Sequence, residues 1–298
     1  MSAPIDLARV RRLFAHPARV QPSDFLRREI GARMHERLSL VKIVPQRVLD
    51  AGCGAGADLG LLQNRFPAAH LLALDGAPAM LGAAAAAGAT RGALNNLIAK
   101  WLPGKAGLDL LCGNFAELPL APNSVDLIWS NLALHWHPQP DRAFAEWRRV
   151  LQVDGLLMFS CFGPDTLRQV RAAFEGVDDA AHGLPFVDMH DLGDMLLAAG
   201  FAAPVMDMET ITLTYSTAQA LLADARAWGG NPLATRRRGL LGRRDWRRVQ
   251  DKLEQGRRPD GTLGLTFEVI YGHAFKPKPR VTASGEAIIH FDLQRPPK

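Results

Sequence analysis

Cysteine is scarce in this sequence, and long apolar runs are missing. The 298-residue chain has three cysteines, Cys53, Cys112 and Cys161, which are far apart and lack the spacing of metal ligands. Such usage is typical of a reducing compartment and argues against both a disulfide framework and a zinc site. No run approaches the roughly 18 apolar residues that a membrane-spanning helix requires, and the N-terminus lacks the apolar region of a secretion signal. We therefore expect a cytoplasmic protein without a bound metal or a membrane partner.

Excess positive charge is confined to one segment. The chain has a net charge of +5, but residues 226–258 have eleven Lys or Arg and three acids, a net +8, which leaves −3 elsewhere. A local basic segment predicts one docking site for an acidic partner, although a solvated helix face is the alternative. Aromatic residues do not interleave with the charges along a stripe, so nucleic acid is not the expected partner.

Short apolar runs alternate with helical periods from residue 47 onward. The runs RVLDA, HLLALD, LDLLC, VDLIWS and LLMFSCF are predicted strands with helices between them. Two later extended stretches, PVMDMETITLTY and LTFEVIYGHAFKP, are predicted as the last two strands of the same sheet. The expected fold is therefore α/β, a doubly wound, seven-stranded and mostly parallel sheet with a helical insertion before the last strand.

This pattern divides the chain into three parts. Residues 1–46 are predicted to be a helical extension, in which Ser23 caps an amphipathic helix. Its apolar face is formed by residues that recur every four positions: Leu26, Ile30, Met34 and Leu38. Residues 47–275 form the main domain, with the basic insertion at 216–261 projecting over the carboxyl edge of the sheet, and 276–298 form a tail.

A glycine-rich turn, VLDAGCGAGADLG, follows the first predicted strand. Gly52, Gly54 and Gly56 let the backbone approach a ligand at the edge of the sheet where ligands bind in doubly wound folds. The glycines alone fit a nucleotide site or an ordinary tight turn. Asp50 and Asp58 flank them, and a carboxylate about 4 Å from a phosphate would be repelled by roughly 4 kcal/mol at an effective dielectric near 20. A ligand with ammonium and sulfonium charges, S-adenosylmethionine, fits better, although Asp50 could instead cap the next helix.

Further polar residues follow the next strands. Asp75 ends the second strand, where a carboxylate can accept hydrogen bonds from both hydroxyls of a ribose. Asn114 and Phe115 follow the third strand and could hold the adenine amino group and cover the ring, or could be a turn residue and a core residue. Asn131 ends the fourth strand and is predicted to contact the ligand.

These motifs, in this order, resemble the class I S-adenosylmethionine-dependent methyltransferases. The likeness covers about residues 47–162 through VLDAGCGAG, Asp75, GNFAELP and NSVDLIWSNLALHW, and it departs at Asn114, where many members have Asp. Later stretches, among them HDLGDMLLAAGF, RRRGLLGRRDW and FEVIYGHAFKP, are similar to the malonyl-acyl-carrier-protein O-methyltransferases of biotin synthesis (BioC). A sister group, the methyltransferase-like mitochondrial assembly factors that hydroxylate an arginine, shares signatures such as GPDTL.

The narrower resemblance implies methyl transfer to the free carboxylate of malonyl-acyl-carrier protein or malonyl-coenzyme A. A carboxylate is already ionised at neutral pH, so positioning replaces a general base. We assign His135 and Trp136 to shaping the pocket near the methyl group, with loop packing as the alternative. An arginine is expected to hold the substrate carboxylate, and the same basic group to dock the acidic carrier protein. The candidates are Arg236, Arg237, Arg238, Arg243 and Arg244.

Other functions stay open at this point. The chain could be a protein-arginine hydroxylase or assembly factor, a methyltransferase of another small acid, or a non-catalytic protein that binds S-adenosylmethionine. The sequence does not indicate the oligomeric state.

Overall fold

The described part of the chain contains one mixed sheet. A computed structural model describes residues 4–99, 107–228 and 230–279, and within 89–99 it describes the backbone only. The strands in these ranges are β1 (Arg47–Ala51), β2 (His70–Asp75), β3 (Leu108–Cys112), β4 (Val125–Asn131), β5 (Leu151–Phe162), β6 (Ala202–Tyr215) and β7 (Leu263–Phe275). They form a seven-stranded sheet in the order β3-β2-β1-β4-β5-β7-β6. The first five strands are parallel, and β7 is antiparallel to both β5 and β6, which confirms the predicted mostly parallel α/β sheet.

Helices cover both faces of this sheet. Successive residues of one strand enter different cores: Val48 and Leu49, both fully buried, belong to separate hydrophobic clusters. One face packs on α6 (Pro140–Val150) and α8 (Met189–Ala198), while the other packs on α3 (Asp24–Leu38), α4 (Leu59–Arg65) and α7 (Arg168–Phe174). Strands buried on both faces read as continuous apolar runs, which is why RVLDA and HLLALD were recognisable. Helix α5 (Pro78–Ala99) connects β2 to β3.

The N-terminal residues form helices α1 (Leu7–Leu13), α2 (Pro17–Val20) and α3. The four apolar residues predicted for the inner face of α3 are all buried. The predicted cap is wrong, because the Ser23 hydroxyl donates to the carbonyl of Val20 (2.7 Å) and accepts nothing from the first turn of α3. Arg37 of α3 pairs with Asp207 of β6 (2.6 Å), and Arg33 pairs with Glu209, so α3 is attached to the edge strand.

The insertion between β6 and β7 contains α9 (Ala218–Ala227) and α10 (Arg243–Gln255). Strand β6 runs in the same direction as β5, so Tyr215 at its end and Leu263 at the start of β7 lie at the carboxyl edge of the sheet. The insertion therefore begins and ends at the edge where the glycine loop lies. Residues 230–242 between the two helices contain no helix. Of the predicted tail, residues 280–298 lie outside the described residues.

No helix among the described residues is long and apolar enough to cross a membrane.

Candidate active site

A cavity of about 420 Å³ opens at the carboxyl edge of β1, β2 and β4. Its wall includes every residue that the sequence predicted for the cofactor, together with Trp136. These residues are Asp50, Gly52, Gly54, Gly56, Asp75, Asn114, Phe115, Asn131 and Trp136. Leu7 and Val10 of α1, Phe14 just after α1 and Arg27 of α3 also line the cavity. The N-terminal extension is thus part of the site. The sequence predicts that the helix after Ser23 packs on the sheet or covers its edge, whereas no sequence signal indicated the contribution of α1.

The glycine loop has the backbone that its sequence predicts. Gly52, Gly54 and Gly56 have φ angles of 92°, 53° and 78°, in the left-handed region that favours glycine. A Cβ on Gly52 would lie 2.3 Å from the Cβ of Ala133, whereas a Cβ on Gly54 would meet no protein atom within 4 Å. Gly52 is therefore required for packing, and Gly54 leaves its backbone open toward the cavity.

Asp50 is the least satisfied polar residue of the site. Its side chain is 2% exposed, and its Oδ2 has no hydrogen-bond partner within the described part of the chain. Burial, followed by repulsion from Asp58 and Asp75, raises the pKa of Asp50 well above its usual range. A ligand with a positive charge would relieve this repulsion and satisfy the free oxygen, whereas a phosphate would add to the repulsion.

Asp75 is held in place by the loop that it faces. Its Oδ2 accepts a hydrogen bond from the backbone N–H of Gly54 (3.0 Å), and its Oδ1 accepts one from Ala77 (2.8 Å). Burial raises the pKa of Asp75, while these two hydrogen bonds act in the opposite direction. The carboxylate is thus oriented before a ligand arrives and retains lone pairs for further donors.

A buried network fixes Asp58 and Asn131. The Oδ2 of Asp58 accepts from Trp129 Nε1 (2.9 Å) and from Asn131 Nδ2 (2.9 Å). Asn131 also donates to the carbonyl of Arg27 (3.0 Å) and accepts from Ser160 Oγ (2.8 Å). Although Asn131 lines the cavity, its polar atoms are bound to protein, so it joins α3 to β4. Ligand contact by Asn131 stays a prediction.

Asn114 and Phe115 line the cavity and also have the turn and packing roles that were the alternatives, while their contact with adenine stays a prediction. The Oδ1 of Asn114 accepts from the backbone N–H of Ala116 (3.0 Å), as a turn asparagine does. Phe115 lines the cavity, and its ring also contacts His137 and Trp147, with centroids 5.5 Å and 5.8 Å away. These residues therefore close the end of the cavity beside β3.

His135 and Trp136, predicted as a pair, face different surroundings. Trp136 lines the cavity, where its ring packs edge-on against Phe14 (5.1 Å). His135 lies behind that wall, among the rings of Trp136, Phe162 and Phe186. Burial lowers the pKa of His135 to about 3, and nearby Arg27 contributes to the decrease. His135 is therefore neutral at physiological pH.

The predicted substrate arginines do not reach the cavity. None of the five candidates lines it; Arg236 is half-buried, and Arg237, Arg238, Arg243 and Arg244 are exposed. The cations on its wall are Arg11, Arg27 and Arg28, from α1 and α3. Arg27 pairs with Asp24 (2.7 Å) and, by its charge, also acts on Asp58 and Asp75. Contact between an arginine of the insertion and the substrate carboxylate therefore stays a prediction. These cations of the cavity wall were not predicted from the sequence. The signal that could have indicated Arg27 is its position beside Leu26, which lies on the buried face of an amphipathic helix.

Among the described residues, no group of three or more His, Cys, Asp or Glu side chains is arranged to hold a metal ion.

The fold and the acidic, glycine-lined cavity define a class I methyltransferase. Residues 49–159 match the model of a methyltransferase domain. The YcgJ protein of Bacillus subtilis has a similar fold, with a TM-score of 0.56, 15% identity, and 83% of this chain and 98% of that chain covered.

Curated relatives are similar over nearly the whole chain. The malonyl-[acyl-carrier protein] O-methyltransferase of Laribacter hongkongensis is 45% identical, with 98% of this chain and 97% of that protein covered. The protein of the same name from Gallionella capsiferriformans is 45% identical, with 96% of each chain covered. The chain belongs to the malonyl-[acyl-carrier protein] O-methyltransferase family.

Proposed function

We propose that the protein transfers a methyl group from S-adenosylmethionine to the free carboxylate of malonyl-acyl-carrier protein, and that the ester serves biotin synthesis. Similarity to the curated methyltransferases over nearly the full length, including the basic insertion, favours this function over arginine hydroxylation. The observation in the site that supports it most directly is Asp50, a buried carboxylate with an unpartnered oxygen in a cavity that suits a cation. The three free cysteines support a reducing, cytoplasmic location.

The residues present fit S-adenosylmethionine. Asp50 would face the cationic methionine end, and Asp75 would accept hydrogen bonds from the ribose hydroxyls. Gly54 would allow close approach of the ligand, and Phe115 would cover the adenine. Because Asn114 Oδ1 already accepts from Ala116, its amide NH₂ group is the better candidate to bind the base, as a donor to a ring nitrogen.

The chain's residues position the reactants and exclude water. When bound, S-adenosylmethionine supplies a methyl group on a positively charged sulfur, which keeps the bonding electron pair when a carboxylate oxygen attacks the methyl carbon. No proton moves in this step, because the carboxylate is already ionised. The step therefore does not need an ionised histidine, which agrees with the lowered pKa of His135. Helices α1 and α3 close the cavity from above, so Phe14 and Trp136 limit access of water to the reacting atoms.

The insertion provides a surface for the acidic carrier protein. Within the described residues, Arg238, Arg243 and Arg244 are exposed and have no ion pair, whereas Arg237 is paired with Asp178 (2.8 Å). Unpaired cations on one face can steer an acidic partner toward the carboxyl edge of the sheet. We therefore assign these arginines to carrier docking.

Reversing Arg243 and Arg244 to Glu together should raise KM for malonyl-acyl-carrier protein by about 10-fold or more and leave kcat nearly unchanged. Rising salt should weaken the wild-type interaction in the same way, because the Debye length is only about 8 Å at physiological ionic strength. Steady-state kinetics with carrier-bound substrate would measure both effects. Arg47→Glu, an exposed change at the start of β1, is the control and should leave KM unchanged. A salt-independent KM would contradict docking by charge.

Asp75→Ala should weaken S-adenosylmethionine binding by roughly 1.5–3 kcal/mol, as for hydrogen bonds to a charged group. This change also removes the acceptor of the Gly54 and Ala77 N–H groups, so the loop could shift. Asp75→Asn preserves the size and one acceptor and should still lose part of the affinity. Calorimetric titration measures both variants, and an affinity equal to the wild type in both would reject the ribose contact.

Complementation tests the proposed pathway. The gene should restore growth without biotin to a bacterial strain that lacks its own malonyl-carrier carboxyl methyltransferase. A variant with Asp50→Asn, expressed at the same level, should fail to do so. Failure of the wild-type gene, with soluble protein present, would count against the proposed function.

A further inference from the structure

Three buried nitrogen atoms outside the cofactor cavity have no hydrogen-bond partner in the described residues. One is His35 Nε2 of α3, and the other two are His135 Nε2 and Trp228 Nε1. Both rings contact Phe162 at the end of β5, with centroid distances of 4.9 Å for His135 and 6.0 Å for Trp228. An unpaired polar group in an apolar surrounding is costly, so two of them beside one ring call for a physical explanation.

Both nitrogens are donors. His135 is neutral, and its Nδ1 accepts from the backbone N–H of Phe162 (3.5 Å). A neutral imidazole that accepts at one nitrogen has its proton on the other, so this hydrogen bond assigns the proton to Nε2. The indole Nε1 of Trp228 can only donate. The Trp228 side chain is 5% exposed, so solvent does not satisfy it.

The surroundings provide rings and positive charge in place of an acceptor. Phe186 packs on His135 (5.6 Å), and Phe267 packs on Trp228 (4.9 Å). Arg27 is close enough that its charge lowers the pKa of His135. Two unused N–H groups, one of them near a guanidinium, favour a ligand that brings oxygen acceptors and negative charge.

This aromatic cluster, formed by His135, Phe162, Phe186, Trp228 and Phe267, lies between the cofactor cavity and the basic insertion. Toward the cavity, the His135 ring packs at a tilt against Trp136 (5.2 Å), which forms part of the cavity wall. Toward the insertion, Trp228 directly follows α9. Phe25 of α3, 51% exposed, contacts Trp228 (6.3 Å) and marks where the cluster reaches the surface.

We propose that His135 Nε2–H and Trp228 Nε1–H bind oxygen atoms of the malonyl group and hold its carboxylate toward the cofactor cavity. This inference rests on the proposed function and adds to it the residues that recognise the acceptor. The acyl group would enter beside Phe25, between α3 and α9, from a carrier protein docked on the insertion. Within the cluster, the rings fit the apolar part of the thioester arm, and the two donors select an acyl group that ends in a carboxylate.

Trp228→Phe tests the proposal, because it removes the N–H group and retains an aromatic ring. It should raise KM for malonyl-acyl-carrier protein by about 10-fold to 100-fold, as loss of a hydrogen bond to a charged group does. Affinity for S-adenosylmethionine should stay unchanged. The melting temperature should stay equal or rise, because the variant no longer buries an unpaired donor. Trp246→Phe, in α10 and half-buried, is the matched control and should behave as the wild type.

His135 variants provide an independent readout. Gln at position 135 can place an amide N–H near the position of Nε2, whereas Leu cannot. His135→Gln should therefore retain much more activity with malonyl-acyl-carrier protein than His135→Leu, at equal affinity for S-adenosylmethionine.

Three results would overturn the proposal. The first is a KM of Trp228→Phe equal to that of the wild type, when the wild type turns over normally. This result would contradict the donor role of Trp228 but not the proposed function. The second is equal activity of His135→Gln and His135→Leu. The third is a wild-type protein that binds S-adenosylmethionine but methylates no malonyl thioester, which contradicts the proposed function and this role with it.

Discussion

Asp50→Asn should weaken S-adenosylmethionine binding by about 100-fold to 1000-fold, the expected cost of leaving a buried charge without its partner. The change preserves the shape of the side chain, so the cavity should persist. In the ligand-free protein, burial and then repulsion from Asp58 and Asp75 oppose ionisation of Asp50, and its Oδ2 is unpartnered. The same substitution should therefore raise the melting temperature of the ligand-free protein, although it lowers the affinity for S-adenosylmethionine.

The pH dependence of this effect has a defined sign. The pKa of Asp50 is raised in the folded protein, so the folded state retains a proton that the unfolded state has lost. Its contribution to stability is present at low pH and decreases as pH rises from the usual aspartate range through the raised pKa. Ligand-free wild type should thus lose stability relative to Asp50→Asn over that window.

Ligand binding should lower the raised pKa of Asp50 again. A cationic ligand favours the carboxylate form, so binding should release a proton below the raised pKa, and affinity should increase with pH there. Calorimetry in buffers of different ionisation enthalpy measures the proton count. Asp109→Asn, an exposed change on β3, is the control and should alter neither affinity nor proton release. Strong binding by Asp50→Asn would contradict the assignment of Asp50 to the cationic end of the ligand.

Gly52→Ala should destabilise the folded protein by about 2–5 kcal/mol. The new Cβ would lie 2.3 Å from the Cβ of Ala133, at a φ of 92°, so overpacking adds to the cost of a left-handed backbone. Ala133 belongs to the chain after β4 and cannot move away without displacing the wall that contains Trp136. Denaturant unfolding of the ligand-free protein would measure the loss.

Gly54→Ala is the matched variant, because its φ of 53° is also left-handed but its Cβ would meet no protein atom within 4 Å. It should cost only about 1–2 kcal/mol of stability and act mainly on ligand affinity, since Gly54 lines the cavity and the methyl group would enter open space there. Similar stability of Gly52→Ala and the wild type would show that the loop does not pack on Ala133.

The sheet and the glycine loop were predictable because local signals determine them. The strands of a doubly wound sheet are buried on both faces, so they stand out as short apolar runs, and left-handed turns require glycine. Acidic residues at strand ends share one edge in a parallel sheet, which is why the sequence alone predicts that Asp50 and Asp75 lie in one site. The family resemblance was confirmed by the curated relatives.

Contacts between distant parts of the chain were not predictable. Helix α1 reaches the site because Arg9 Nε donates to the carbonyl of Asn231 (3.0 Å) and Ile5 pairs with Leu233, more than 200 residues away in sequence. No local pattern encodes such a pairing, so Arg11 and Arg28 were not recognised as part of the wall. The arginines of the insertion were assigned to the substrate carboxylate and the carrier protein from charge density, which does not show where a side chain points, so that assignment stays a prediction.

The orientation of the His135 side chain was also not predictable from the sequence. The sequence LALHW places two polar-tipped rings side by side after β4 but does not say which of them faces the cavity. In the structure, Trp136 faces it, and His135 turns into an aromatic cluster that includes Phe267 and Trp228 from the other end of the chain. Only that cluster makes the unpaired Nε2 of His135 visible as a candidate donor.

Methyl transfer by the purified protein tests the central claim most directly. With methyl-labelled S-adenosylmethionine and malonyl-acyl-carrier protein, the label should appear on the malonyl group as an alkali-labile ester, and acetyl-acyl-carrier protein, which lacks the free carboxylate, should stay unlabelled. Absence of label from both malonyl-acyl-carrier protein and malonyl-coenzyme A, with S-adenosylmethionine bound, would contradict the account.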